Sequence, residues 1–121
     1  MEFNVKLTEK RADELTGVLR VDFTVEDPVD GELLIEMPSE FERRLKDRFK
    51  GSVSVTKERP ENSGGSDLLM LATVYESDGK KVLKASAFGF LVILQLKKPL
   101  RDLAEFSRGD EIYVYVKGLF T

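Results

Sequence analysis

Apolar and polar side chains alternate along most of this chain with a period of two residues, the pattern of strands that bury one face. Phe3, Val5 and Leu7 show it first, and the stretch 19–25 repeats it more strongly. Further stretches with strand character cover residues 32–37, 53–55, 68–76, 82–88, 89–97 and 111–117. Eight strands in 121 residues predict an all-β, antiparallel sheet that closes or nearly closes.

Two segments depart from that alternation and predict helical structure. Residues 39–50 begin with Ser39 and an acid three residues later, carry basic residues toward the end, and stop at Gly51. These features predict a capped, three-turn amphipathic helix. Its apolar face consists of Phe41, Leu45 and Phe49. A second helical turn is predicted after Pro99, with Leu100, Leu103 and Phe106 as its apolar residues.

The segments between the predicted strands are polar or rich in glycine and proline. Residues 11–14 form a polar link, and 26–31 holds a Pro and a Gly where turns favour them. Residues 58–67 have loop composition throughout, and Asp78-Gly79 is a strong hairpin signal. The first two strands are therefore expected to be neighbours in one meander.

Gly89 interrupts the longest apolar run of the chain, where a strand bends, bulges or turns sharply. The strand after it is apolar on both faces. One face holds Phe90, Val92, Leu94 and Leu96, and the other holds Leu91 and Ile93. We therefore expect this strand to be central in the sheet or covered by a partner.

Composition narrows the range of functions. The chain has the size of one domain and contains no Cys and no His, so disulfides, Cys/His zinc sites and Cys- or His-dependent catalysis are excluded. No cofactor is expected. Charged residues make up 34% of the chain with a net charge of −3. The isoelectric point of about 5.1 argues against an autonomous nucleic-acid binder.

The composition also bears on where the protein works. Abundant Lys and Glu without Cys favour a hyperthermophile. The start Met1-Glu2-Phe3 shows no signal peptide, and no apolar run approaches the roughly 18 residues of a membrane span. We expect a soluble intracellular protein without a membrane partner or a small-molecule substrate.

Acidic pairs and a glycine pair are the first candidates for chemistry. Glu26/Asp27 and Asp110/Glu111 lie in predicted turns, where solvated or capping roles are far more common than metal or acid–base roles. Gly64-Gly65 has no Lys-Ser or Lys-Thr after it, so it is not a phosphate-binding loop.

Basic and aromatic residues are the candidates for binding. One group of basic residues lies on the predicted helix and the strand after it. These residues either bind phosphate or an acidic protein surface, or form a solvated face that nearby acids balance. The group comprises Arg43, Arg44, Lys46, Arg48, Lys50, Lys57 and Arg59. Aromatic rings on strands stack on bases or enter protein interfaces. They are Phe88, Phe90, Tyr113 and Tyr115. The two tyrosines alternate with aliphatic residues, so they face either a partner or a covering element of the same chain.

Four stretches follow one another in the C-terminal half: KERPENSGGSDLLMLATVYESDG, ASAFGFLVILQL, LRDLAEF and DEIYVYVKGLF. Their most specific elements are Arg59-Pro60, Val74-Tyr75, Ser86 to Leu91 around Gly89, and Ile112-Tyr113-Val114-Tyr115 running to Leu119-Phe120. In order and spacing, residues 57–121 resemble the eighth subunit of eukaryotic RNA polymerases and the archaeal counterpart of that subunit. Residues 1–56 share only the strand pattern. Gly89-Phe90 stands where eukaryotic members usually have two glycines, which favours an archaeal form.

The resemblance implies one domain over residues 1–121, an antiparallel barrel related to the OB fold, without enzymatic chemistry of its own. It implies docking on the largest polymerase subunit near the pore and funnel, in support of assembly and stability, with at most peripheral contact to nucleic acid. The expected partner-binding residues are Phe88, Gly89, Phe90, Tyr113, Tyr115, Leu119 and Phe120. The expected electrostatic rim is Arg43, Arg44, Lys46, Lys57 and Arg59.

Two other functions remain open at this point. One is a stand-alone OB-type protein that binds single-stranded nucleic acid through strand aromatics. The other is a small hydrolase that uses the paired carboxylates.

Overall fold

A closed antiparallel β-barrel is the architecture of the computed structural model, which describes residues 1–61 and 63–121. Its strands are β1 (Glu2–Asp13), β2 (Val18–Asp27), β3 (Gly31–Pro38), β4 (Lys50–Thr56), β5 (Leu68–Ser77), β6 (Val82–Ala87), β7 (Phe90–Leu96) and β8 (Glu111–Val116). Two 3₁₀ helices, Ser39–Arg44 and Arg101–Glu105, accompany them. The barrel closes in the order β1-β2-β3-β7-β6-β5-β8-β4, with each of these pairings antiparallel. The predicted fold class is confirmed.

Alternation along each strand fills the barrel. Ile112, Val114 and Val116 of β8 are buried in the core, whereas Tyr113 and Tyr115 lie on the outside and are half-buried. Strand β7 lies between β3 and β6, which agrees with the central alternative, although every strand of a closed barrel has two neighbours. Burial of a large apolar side chain stabilises a fold by roughly 1.5–3 kcal/mol each, so this interior is a major source of the stability of the barrel.

The predicted helix over residues 39–50 is wrong beyond its first turns. The chain forms a 3₁₀ helix only to Arg44, and Leu45 is extended and pairs with Phe120 in an isolated antiparallel bridge. The Lys46 N–H donates to the Leu119 carbonyl at 3.1 Å, and the Thr121 N–H donates to the Arg44 carbonyl at 2.7 Å. Tertiary contact with the C-terminal segment therefore replaces the helical hydrogen bonds.

The proposed helix cap is wrong as well. The N-cap residue is Pro38, and no side chain caps the helix. The Ser39 N–H instead donates to the Gly17 carbonyl at 2.9 Å. Phe49, assigned to the helical face, lies outside the helix between the turn at 47–48 and β4. It is buried, with its ring edge-on to Phe23 at 6.2 Å between centroids.

The polar link predicted over residues 11–14 is also wrong, because β1 continues through Asp13. Arg11 pairs with Arg20 of β2, and the turn comes at residues 14–17. The Asp13 carboxylate accepts from the Leu15 N–H at 3.0 Å, and Gly17 has a φ of +72°. This end of the hairpin is largely exposed, so no apolar alternation marks it in the sequence.

The hairpin predicted at Asp78-Gly79 is confirmed. The Asp78 carboxylate accepts hydrogen bonds from the backbone N–H groups of Val82, Lys80 and Lys81. These bonds, led by the one from Val82, lower the pKa of Asp78 to about 2. The loop predicted over 58–67 is confirmed for its described residues, and Asn62 lies outside them.

Candidate docking surface

The turn between β6 and β7 consists of Phe88 and Gly89. Ala87 pairs with Phe90 directly below it, so the turn has two central residues. Both have positive φ, +50° for Phe88 and +86° for Gly89, the geometry that favours Asn-Gly. Phe88 therefore lies in this turn, not on the predicted strand over 82–88. A left-handed backbone costs an L-residue roughly 1–2 kcal/mol.

Phe88 is also 99% exposed to solvent. Exposure of the phenyl ring to water is unfavourable in free energy, and a positive φ is unfavourable for a residue with a Cβ atom. An exposed aromatic residue at a strained turn is the kind of outlier that points to a function. The ring therefore makes Phe88 a candidate for contact with another molecule.

An apolar groove of about 240 Å³ lies beside this turn. Its main apolar residues are Met37, Phe41, Leu68, Met70, Phe88 and Phe90. Its charged residue is Glu36, whose carboxylate already accepts from the Leu91 N–H at 3.0 Å. We call this feature the apolar groove. Its chemistry suits apolar side chains better than phosphate or sugar.

The outer faces of β5 and β8 continue the apolar surface. Leu69 pairs with Tyr115, and Leu71 pairs with Tyr113, so these side chains lie side by side outside the barrel. Leu71 is 44% exposed. Of the predicted residues, Phe88 and Phe90 line the groove, whereas Tyr113 lies beside Leu71 on the outer face of β8.

Tyr115 is held by its own chain. Its hydroxyl donates to the Asp67 carboxylate at 2.6 Å, and the N–H groups of Gly118 and Gly64 donate to the same carboxylate at 2.7 and 2.8 Å. The hydrogen bond from the Tyr115 hydroxyl is the main reason that the pKa of Asp67 lies below its ordinary value. The same bond, with burial second, raises the pKa of Tyr115. This contact supports the alternative that a loop of the same chain covers the tyrosine.

Replacing Tyr115 with Phe is expected to lower the free energy of unfolding by about 1 kcal/mol, because one hydrogen bond to a partly solvated carboxylate is lost. Urea unfolding measures the change. Tyr113→Phe is the matched control, since no hydrogen bond from its hydroxyl is found among the described residues. Equal destabilisation by both substitutions would contradict a specific contribution from the Tyr115–Asp67 bond.

The same bond predicts a pH dependence. Asp67 contributes stability above the pKa of an unfolded Asp, about 3.9, and that contribution is lost as the pH falls through its lowered pKa in the folded protein. Tyr115 contributes below the unfolded Tyr pKa of about 10, and its contribution is lost as the pH rises through the raised folded pKa. The stability difference between wild type and Tyr115→Phe should therefore shrink at both extremes. A constant difference from pH 2 to pH 12 would contradict this assignment.

Leu119 and Phe120 do not belong to the surface. They are 0% and 4% exposed, so their assignment to the partner-binding set is wrong in this conformation. The Phe120 ring packs against Phe41 at 5.6 Å between centroids, and the Arg44 guanidinium lies 5.3 Å from its centre. Both tail residues complete the core.

The expected electrostatic rim is divided. Arg44 contacts Phe120 beyond the C-terminal end of β8, where it also donates to the Gly65 carbonyl. Lys57 lies at the opposite end of β8, 3.4 Å from the Asp110 carboxylate and 5.7 Å from the centre of the Phe106 ring. The exposed residues Arg43 and Lys46 fall in the first group, and Arg59 falls in the second. The structure therefore does not bring the five residues together as one rim.

Three of the four residues in the acidic pairs have partners within the described chain. Glu26 lies 4.0 Å from Lys50, and the Asp27 carboxylate accepts from the Asn4 amide at 3.4 Å. Asp110 accepts from the Ser107 N–H at 2.8 Å, which is the main cause of its lowered pKa. Within residues 1–61 and 63–121, no group of three or more acidic side chains is arranged to hold a metal ion. No helix in the described chain is long and apolar enough to cross a membrane.

The sequence interpretation missed the groove and the role of β5 in it. The signal was the run Leu68-Leu69-Met70-Leu71, which is apolar on both faces like the strand after Gly89. Asp67 was missed because a carboxylate next to glycines is typical of any loop.

Comparisons with known proteins add no identification. No protein-family model matches this chain, and no curated protein matches it. Fold and surface together define a small antiparallel β-barrel with an exposed aromatic turn beside an apolar groove.

Proposed function

We propose that this chain is a non-catalytic small subunit of an archaeal DNA-directed RNA polymerase. In this role it docks on the largest subunit and supports the assembly and stability of the enzyme during transcription in the cytoplasm. The observation that carries the proposal is the fully exposed, strained Phe88 beside the apolar groove. Covering such a surface with a partner releases apolar area from water.

The positions of the resembling segments support the same proposal. Ser86 to Leu91 forms the turn that carries Phe88, and Ile112 to Tyr115 lies in β8. Strand β5, which contains Val74-Tyr75, lies between β6 and β8. Parts of the segments that resemble the polymerase subunit therefore contribute to the surface that is suited to docking, whereas Leu119 and Phe120 lie in the core.

The decisive experiment measures binding to the largest polymerase subunit, purified from the source organism in a form that lacks this chain. Wild type is expected to bind as a stable one-to-one complex, and Phe88→Ala is expected to bind more weakly. Leu15→Ala is the matched control, because Leu15 is equally exposed at 99% but lies in the β1–β2 turn outside the groove. Absence of binding by the wild type would reject the proposed function.

A titration with single-stranded oligonucleotides at two salt concentrations tests the nucleic-acid alternative. Phosphate contacts require an affinity that falls steeply with salt. We expect weak binding, because the basic residues are divided between the two ends of β8 and the groove is apolar. Tight, salt-dependent binding together with no affinity for the polymerase subunit would favour the alternative.

A further inference from the structure

Strand β5 is longer than its neighbour β6 at one end. On one side, residues Leu68 to Thr73 pair with β8. On the other side, pairing with β6 begins only at Thr73 and continues to Ser77. Within the described chain, the stretch Leu68–Ala72 therefore has a partner strand on one side only.

Along a β-strand, the backbone N–H and C=O groups of successive residues point alternately to the two neighbouring positions in the sheet, and this alternation gives their direction in Leu68–Ala72 of β5. The Val74 N–H donates to the Asp110 carbonyl at 2.9 Å, so the even-numbered residues of this stretch direct their backbone groups toward the β8 side. Leu69 and Leu71 therefore direct their N–H and C=O groups to the opposite edge. No strand of the described chain pairs with them there. Such an edge is a template for another strand.

The space beside this edge is the apolar groove. On its far side, pairing between β3 and β7 ends at Ile35 and Val92. Beyond that pair, the Leu91 N–H donates to the Glu36 carboxylate instead of a strand carbonyl. The β6–β7 hairpin ends at Phe88 and is too short to fill the gap between β3 and β5.

We propose that this edge of β5 binds an extended segment of the largest polymerase subunit as an added strand. Its backbone pairs with Leu69 and Leu71, and alternate apolar side chains enter the groove beside Phe88. The proposal rests on the proposed function, which it deepens by naming the chemistry of the docked segment.

A peptide backbone is the occupant that fits this edge. The free groups alternate between donors and acceptors at the spacing of a strand, and only another strand pairs with all of them. A nucleic-acid strand would place phosphates in an apolar groove beside Glu36 and leave the backbone donors and acceptors poorly matched. The apolar lining requires apolar side chains at every second position of the segment.

Hydrogen exchange of individual amides tests the proposal directly. In the isolated protein the amides of Leu69 and Leu71 should exchange quickly, whereas those of Met70 and Ala72, which face β8, should be protected. In the complex with the largest subunit, exchange at Leu69 and Leu71 should slow by roughly 100-fold or more. Fragmentation mass spectrometry after quenching gives the required resolution.

The outcomes separate this proposal from the proposed function. If the complex forms but the amides of Leu69 and Leu71 still exchange quickly, strand addition is wrong and the proposed function stands. If no complex forms, both fail. Protection that rises with protein concentration in the absence of the polymerase subunit would assign the edge to a second copy of this chain and overturn the proposal.

Two substitutions at one position provide an independent test. Leu71→Pro removes the N–H that faces the free edge, and Leu71→Ala removes the side chain but keeps that N–H. We expect binding to weaken by roughly 100-fold for the proline variant and by less than tenfold for the alanine variant. Equal weakening would overturn the proposal. If the proline variant does not fold, the exchange measurement on wild type decides.

Discussion

Replacing Phe88 with Asn is expected to stabilise the isolated protein and weaken its docking. Phe88 has a φ of +50° in a two-residue turn before Gly89, and Asn adopts this backbone conformation more readily than Phe. The ring is 99% exposed, so its removal costs no packing within the chain. We expect the free energy of unfolding to rise by about 1 kcal/mol.

Binding should change in the opposite direction. An aromatic anchor at the centre of an interface contributes roughly 2 kcal/mol or more, which corresponds to about a 30-fold loss of affinity on truncation. Urea unfolding and titration with the largest polymerase subunit measure the two effects on the same variant. Phe88→Ala is the control, because it removes the ring without introducing the residue that the turn favours. Unchanged affinity of Phe88→Asn would contradict the role of the ring as an anchor.

Replacing Leu119 with Ala is expected to lower the free energy of unfolding by about 3 kcal/mol. Leu119 is 0% exposed, and a buried Leu→Ala substitution loses transfer free energy and leaves a cavity, at a cost of roughly 2–5 kcal/mol. Leu15→Ala makes the same chemical change at a fully exposed position, where effects stay within about 0.5 kcal/mol. Chemical denaturation of both variants gives the comparison.

The Leu119→Ala variant also tests whether Leu119 belongs to the core or to the partner-binding surface. A variant that keeps wild-type stability but loses affinity for the polymerase subunit would contradict the core assignment and restore Leu119 as a partner-binding residue. A loss of stability that is not matched at Leu15 supports the core assignment.

Strands such as β2 were predictable because they bury a single face. Leu19, Val21 and Phe23 alternate with polar residues in the sequence and are all buried in β2. The hairpin at Asp78 was predictable for a related reason, since its turn is stabilised by neighbouring residues. Both signals are local, so no knowledge of the remaining chain is needed to interpret them.

The segment 39–50 was mispredicted because its conformation is decided by distant residues. Phe41, Leu45 and Phe49 have helical spacing, but Leu45 pairs with a residue 75 positions further along the chain, Phe120. Local periodicity carries no information about that contact. For the same reason the sequence placed Phe120 on the surface, whereas the structure places it in the core.

The candidate surface was predictable only in part. Phe88, Phe90 and Tyr113 were predicted as strand aromatics that bind a partner; Phe88 and Phe90 line the groove, and Tyr113 lies on the outer face of β8. The free edge at Leu69 and Leu71 depends on how far β6 extends beside β5. That difference in length is set by the position of the Phe88-Gly89 turn relative to β5, which becomes visible only when the strands are paired.

The bridge between Leu45 and Phe120 affects how this protein is made in the cell. During translation, the first four strands leave the ribosome long before the segment that completes their packing. The barrel is finished only after synthesis has passed residue 120 and that segment has left the exit tunnel. Until then strands of the nascent chain stay unpaired, and exposed strand edges of this kind are prone to aggregation.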